Sequence, residues 1–161
     1  MAYDQKTLAD LIDGRLPWSQ TKELMSQGKD PERFRMVVEI LQQRVGFPER
    51  ILLPLTPHLY IVQKGSDRIV KCDCGYEFGD YRRNWKTKAR VLVRDTPELM
   101  AELYDPDQGA DPAWEELREF YCPGCYALLE VDAVPPGYPV LMDFLPDLDA
   151  FYRDWLGEPL S

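Results

Sequence analysis

Histidine is almost missing from this chain: among 161 residues it occurs once, as His58. A Ser–His–Asp or Cys–His nucleophile couple, a histidine metal shell and a histidine acid–base pair each need partners that one imidazole beside a probable strand does not find in this composition. His58 therefore reads as a satisfied structural residue. Phosphate-cradling loops are missing too, since neither Gly-x-x-x-x-Gly-Lys-Ser/Thr nor Gly-x-Gly-x-x-Gly occurs. No apolar run approaches the roughly 18 residues of a membrane span, and the stretch 51–55 is interrupted by Pro54. Carboxylates abound, but they fall on helix faces and loops where solvation is their ordinary role. No catalytic and no cofactor-binding residue is nominated here.

Basic residues are scarce in one half. Residues 1–94 hold 17 Lys+Arg against 12 Asp+Glu, whereas residues 95–161 hold only Arg118 and Arg153 against 16 acids, giving +5 and −14 within the total of −9. The acidic half repels nucleic acid and anionic lipid and suits a basic partner surface, or simply the basic half of its own chain. One basic run, Arg82, Arg83, Lys86, Lys88 and Arg90, is interleaved with Tyr81 and Trp85. Such a run can bind single-stranded nucleic acid; against the overall charge, an intersubunit contact suits it better.

Cysteine is sparse and concentrated. All four residues sit in two tight pairs, Cys72-Asp73-Cys74-Gly75 and Cys122-Pro123-Gly124-Cys125, with 47 residues between Cys74 and Cys122. Two short turns, each presenting two sulfurs, can offer four thiolates to one tetrahedral ion, the geometry of a structural zinc site. The metal ligands are thus expected to be Cys72, Cys74, Cys122 and Cys125, and iron or an iron–sulfur cluster would satisfy the same spacing. A closed four-sulfur shell stabilises and leaves no position for substrate. A disulfide framework is disfavoured because the chain opens Met-Ala-Tyr-Asp-Gln-Lys without an apolar leader, which leads us to expect a reducing, cytoplasmic setting. A redox role for Cys122 and Cys125 needs a helix N-terminus after them, and the sequence there reads as strand.

The expected fold class is α+β: N-terminal helices over residues 1–46, a zinc-ribbon-like antiparallel β region over 51–135 with a long insertion, and a tail over 136–161 carrying a docking helix, all within one domain. Asp30-Pro31-Glu32 is an N-cap, a proline at the first helical position and an acid in the first turn, and Phe34, Val37, Val38, Leu41 and Val45 then follow at helical spacing. Residues 59–62 and 68–71 form a hairpin that delivers Cys72 and Cys74; further strands lie at 89–93 and 128–134, and a short helix runs from Thr96 to Tyr104. Leu148, Phe151, Tyr152 and Trp155 repeat at helical spacing before Gly157. That stripe packs on the chain's own core or docks into a partner groove. Fourteen prolines exclude long helices after residue 46.

Several segments resemble the small gamma subunits of acetone carboxylases, bacterial ATP-dependent ketone-carboxylating complexes. They include Asp30-Pro31-Glu32-Arg33-Phe34, Cys72-Asp73-Cys74-Gly75, Asn84-Trp85-Lys86, Val93-Arg94-Asp95-Thr96-Pro97, Arg118-Glu119-Phe120-Tyr121-Cys122-Pro123 and Asp154-Trp155-Leu156-Gly157, and they run in order along nearly the whole chain. The resemblance implies an α2β2γ2 complex in which acetone, bicarbonate and ATP become acetoacetate. ATP and a divalent catalytic metal would then sit on the larger alpha and beta subunits, and this chain would contribute zinc and contacts. The family's four cysteines carry over onto Cys72, Cys74, Cys122 and Cys125. Tyr126 departs from the small residue expected after the last cysteine, where a left-handed turn favours glycine. The alternatives are a small subunit of a related aromatic-ketone carboxylase, a stand-alone zinc-ribbon module binding nucleic acid or a regulatory protein, and a Cys-x-x-Cys oxidoreductase.

Overall fold

The computed structural model describes residues 4–28, 30–105 and 108–160; the opening Met1-Ala2-Tyr3, read above for its lack of a leader, and Pro106 lie outside them. Three helices come first: α1 (Gln5–Ile12), α2 (Trp18–Ser26) and α3 (Pro31–Arg44). The N-cap of α3 is the one the sequence announces. Asp30 accepts from the backbone N–H of Glu32 at 2.9 Å, so the helix starts where proline fixes the first φ and a carboxylate meets the free N–H groups.

Among the described residues, seven strands follow in two antiparallel sheets. β1 (Arg50–Thr56), β2 (Leu59–Lys64), β3 (Asp67–Cys72) and β4 (Glu77–Asp80) form one in that order, and β5 (Arg90–Arg94), β6 (Glu116–Tyr121) and β7 (Leu128–Val134) form the other. The expected hairpin is β2–β3, in continuous register from Leu59 opposite Cys72 to Lys64 opposite Asp67. β1 falls at the start of the expected β region and carries Pro54. It lies at the sheet edge and is bulged on either side of that proline, where a missing N–H costs least. The helix expected from Thr96 to Tyr104 is shorter, α4 (Pro97–Met100), capped by the Thr96 hydroxyl accepting from the Leu99 N–H.

Two apolar clusters hold these layers. One joins α3 to the first sheet through Leu41, Phe47, Ile51, Tyr60, Val62 and Ile69. The other lies between the sheets and includes Leu52, Leu59, Ile61, Phe78, Trp85, Phe120 and Leu129, with the Phe78, Trp85 and Phe120 rings edge to face at 5.7 and 6.1 Å. The C-terminal helix seals this second cluster. It begins as α5 (Leu148–Ala150) and continues as a π-helical stretch, Phe151–Leu156, ending at Gly157 with φ +70°. Leu148, Tyr152 and Leu156 are buried, the Tyr152 hydroxyl donates to the Leu52 carbonyl at 2.8 Å, and Phe151 meets Phe34 edge to face at 5.0 Å. The stripe therefore packs on the chain's own core, the first of the two uses its spacing allowed.

The two halves also attract each other. Arg35 binds Glu158, Arg68 binds Asp149, and Arg94 binds Glu102 and Glu119, so part of the acidic excess is met within the molecule. No helix among the described residues is long and apolar enough to cross a membrane.

Candidate metal centre

The first pair of cysteines sits where β3 turns into β4. The Gly75 N–H donates to the Cys72 carbonyl at 2.8 Å and the Cys72 N–H to the Tyr76 carbonyl at 2.9 Å, a reversal that needs Gly75 at φ +95°. The second pair lies in the β6–β7 turn. There the Tyr126 N–H donates to the Cys122 carbonyl at 2.9 Å, the Cys122 N–H to the Ala127 carbonyl at 3.0 Å, and the Gly124 N–H to the Cys122 sulfur at 3.4 Å. The turns nest: a Cβ on Gly124 would stand 3.2 Å from the Cys74 sulfur and 3.1 Å from the Tyr76 Cβ.

Nesting brings all four sulfurs together. Cys72 and Cys125 approach to 3.8 Å and Cys74 and Cys122 to 3.7 Å, and all four atoms lie within 4.8 Å of one another. A tetrahedron with Zn–S bonds of about 2.3 Å has edges of about 3.8 Å, so the donors present fit such an ion in number, chemistry and spacing. The four are free cysteines, and each of these two approaches joins one turn to the other. Cys72 and Cys122 are fully buried, while Cys74 and Cys125 are exposed. Burial pushes the Cys72 thiol up; a bound dication would favour the thiolate instead. β7, not a helix, follows Cys125, so the element that would activate a Cys-x-x-Cys thiol is not there.

His58 takes a place beside this centre. Its Nδ1 lies 2.6 Å from the Asp73 carboxylate, and the Asp73 N–H donates to the His58 carbonyl at 3.0 Å. The lone imidazole thus braces the loop between Cys72 and Cys74.

The basic run has been put to structural use. Arg82 forks onto Asp80 through Nε at 3.0 Å and Nη2 at 2.7 Å, which holds the Asp80 carboxyl down at about 2. Arg90 lies over the Tyr126 ring at 5.3 Å. The Lys86 side chain, 1% exposed, reaches Asp132 at 2.7 Å, Glu130 at 3.0 Å and Asp143, with the Phe120 ring beneath it. Those three carboxylates are spaced closely enough to hold a cation, and the Lys86 ammonium is that cation. Sequence reasoning missed this cluster, although Glu130 and Asp132 alternate on one face of β7 and so carried a signal.

Fold and site together define an α+β chain with a zinc-ribbon-like cluster of four cysteines. The family model described as acetone carboxylase gamma subunit matches residues 45–156. The acetone carboxylase gamma subunit of Xanthobacter autotrophicus is 45% identical over 162 aligned residues, covering 99% of this chain and 96% of that protein. The acetophenone carboxylase beta subunit of Aromatoleum aromaticum is 31% identical over 80 residues, 48% of this chain and 62% of that one. This chain belongs to the acetone carboxylase gamma subunit family.

Proposed function

We propose that this chain is the non-catalytic, zinc-binding small subunit of an ATP-dependent ketone carboxylase that converts acetone, bicarbonate and ATP to acetoacetate in the cytoplasm. Its partners are larger alpha and beta chains in an α2β2γ2 assembly, which carry ATP and the divalent catalytic metal. The observation that supports this most is the meeting of four sulfurs at tetrahedral spacing in a chain similar over nearly its full length to a gamma subunit. Zinc in a closed thiolate shell supplies folding energy. Cys72, Cys74, Cys122 and Cys125 hold it and fix the two turns against each other. Likeness to an acetophenone carboxylase subunit over half the chain makes an aromatic ketone the second reading of the substrate.

The test is co-expression with alpha and beta acetone carboxylase chains. We expect one zinc per copy by elemental analysis, co-elution in a several-hundred-kilodalton complex, and bicarbonate- and ATP-dependent consumption of acetone in preference to acetophenone. A chain that elutes alone, or carries iron, overturns the corresponding part of the reading.

A further inference from the structure

We infer that the groove between β7 and residues 138–145 is a docking surface for an apolar segment of a larger carboxylase chain, one that brings a lysine or arginine to Asp143. The inference rests on the subunit reading above and names the surface and chemistry through which that subunit is held.

Three features carry it. β7 is the last strand of its sheet, so its outer edge has no strand partner among the described residues. Among the described residues, the arm formed by 139–146 makes no backbone–backbone hydrogen bond. It is tied to the body by the Asn84 amide, which donates to the Val140 carbonyl at 3.1 Å, and by Lys86, which grips Asp143. An extended arm beside a free edge is the arrangement that accepts added chain. Between them runs a groove of about 290 Å³ whose walls include Val131, Val134, Tyr138 and Leu141.

The second feature is what this surface exposes. Val131, Tyr138 and Leu141 are 45, 44 and 47% exposed, and Phe144 and Leu145 beyond them 59 and 57%. Three exposed apolar side chains at one groove, with two more exposed next along the same arm, mark an interaction site rather than scattered exposure. The third is charge. Three carboxylates share one ammonium, and the Asp143 side chain is 54% exposed at the groove wall. The two arginines of residues 95–161 are already bonded elsewhere, Arg118 to Glu116 and Arg153 to Asp154. A cation arriving with an apolar segment completes the cluster; an acidic or nucleic-acid partner would be repelled.

Assembly with the larger chains, followed by size-exclusion chromatography with light scattering across a salt series, tests this. Leu141→Ser with Phe144→Ser should weaken incorporation of the chain by at least about tenfold, while leaving the isolated chain's melting temperature and metal content unchanged. Asp143→Asn should also weaken assembly and flatten its salt dependence. Met25→Ser, which alters an exposed apolar side chain on α2, should assemble normally. Undiminished assembly of the double variant, or an equal loss with Met25→Ser, overturns the docking surface and leaves the subunit reading standing. Failure of the unaltered chain to assemble overturns both.

Discussion

Tyr126 occupies the backbone conformation that glycine would take most easily. Its φ is +60°, so the residue after the last cysteine is left-handed as the turn demands, although its side chain is large. That conformation costs a residue with a Cβ roughly 1–2 kcal/mol. The exposed ring recovers part of it by stacking under Arg90 at 5.3 Å, a contact worth about 0.5–1 kcal/mol at such a site. Tyr126→Gly relieves the strain and loses the contact, so metal-loaded chain should keep its stability within about 1 kcal/mol. Tyr126→Ala keeps the strain and loses the contact. Urea unfolding should therefore place the alanine variant below the glycine variant by about 1 kcal/mol, and the reverse order would show that the ring, not the backbone, governs the turn.

The cysteines are not equivalent. Cys72 is fully buried in the inter-sheet cluster, whereas Cys125 is exposed. Serine at either position removes a ligand and should abolish tight metal binding. Cys72→Ser adds a buried hydroxyl to that loss and should melt at the lower temperature. A soluble Cys125→Ser chain that retains one metal ion per copy would count against a four-sulfur shell.

Among the elements, the 84–88 turn does the most with the fewest residues. Trp85 joins the aromatic contacts between the sheets, Asn84 and Lys86 hold the arm, and Lys86 neutralises β7. Burial acts to lower the Lys86 pKa, but the hydrogen bonds it donates to Asp132, Asp143 and Glu130 outweigh it and raise it. A raised lysine contributes stability that is complete below its unfolded value near 10.4 and is lost as pH climbs through the folded value. Burial meanwhile raises Glu130, so that carboxyl costs stability above its folded pKa and less as pH falls. Lys86→Met leaves three carboxylates together without their cation, and should destabilise the chain at pH 7 by about 3–5 kcal/mol. The deficit should shrink as pH falls below 7, because Glu130, already raised by burial, takes up a proton and the repulsion eases. A variant that weakens further on acidification would rule out carboxylate repulsion as the cause.

This turn also shows where sequence reading stops. α3 and the β2–β3 hairpin were legible because cap, proline and periodicity agree locally. The four ligands were legible because they exhaust the cysteines. β1 was obscured by Pro54, and β4, Glu77–Asp80, offers too few apolar residues for a period; each exists because a neighbouring strand supplies its ladder. Lys86 looked like one of five solvated cations, since nothing in a linear spacing of 46 and 57 residues says that Asp132 and Asp143 return to it. The final helix was legible as a stripe, but which surface it would meet depended on Phe34 and Leu52, each a hundred residues or more from its partner.

At the scale of the whole molecule, the cysteine cluster joins two bodies of unequal independence. The first sheet is built from consecutive hairpins and clamped by α3, whose Gln42 side chain accepts from the Ile51 N–H at 2.7 Å and donates to the Glu49 carbonyl at 3.1 Å. The second sheet gathers β5 with β6 and β7 across the long segment between the two cysteine pairs. An ion bridging those pairs closes a loop of 47 intervening residues, a constraint worth about 4 kcal/mol if it acts as a covalent cross-link does. Removing the ion should therefore not unfold the chain uniformly. With a strong chelator, amides of β6 and β7 such as Phe120 and Leu129 should lose protection from hydrogen exchange by up to about a thousandfold. Ile51 and Val62, held by α3 and the first sheet, should change far less. Adding zinc back should restore the lost protection, because loop closure by a bound ion is what the chelator withdraws. Equal deprotection of both sheets would mean that the aromatic contacts through Trp85 make one cooperative unit of the chain, and that the metal acts on all of it at once.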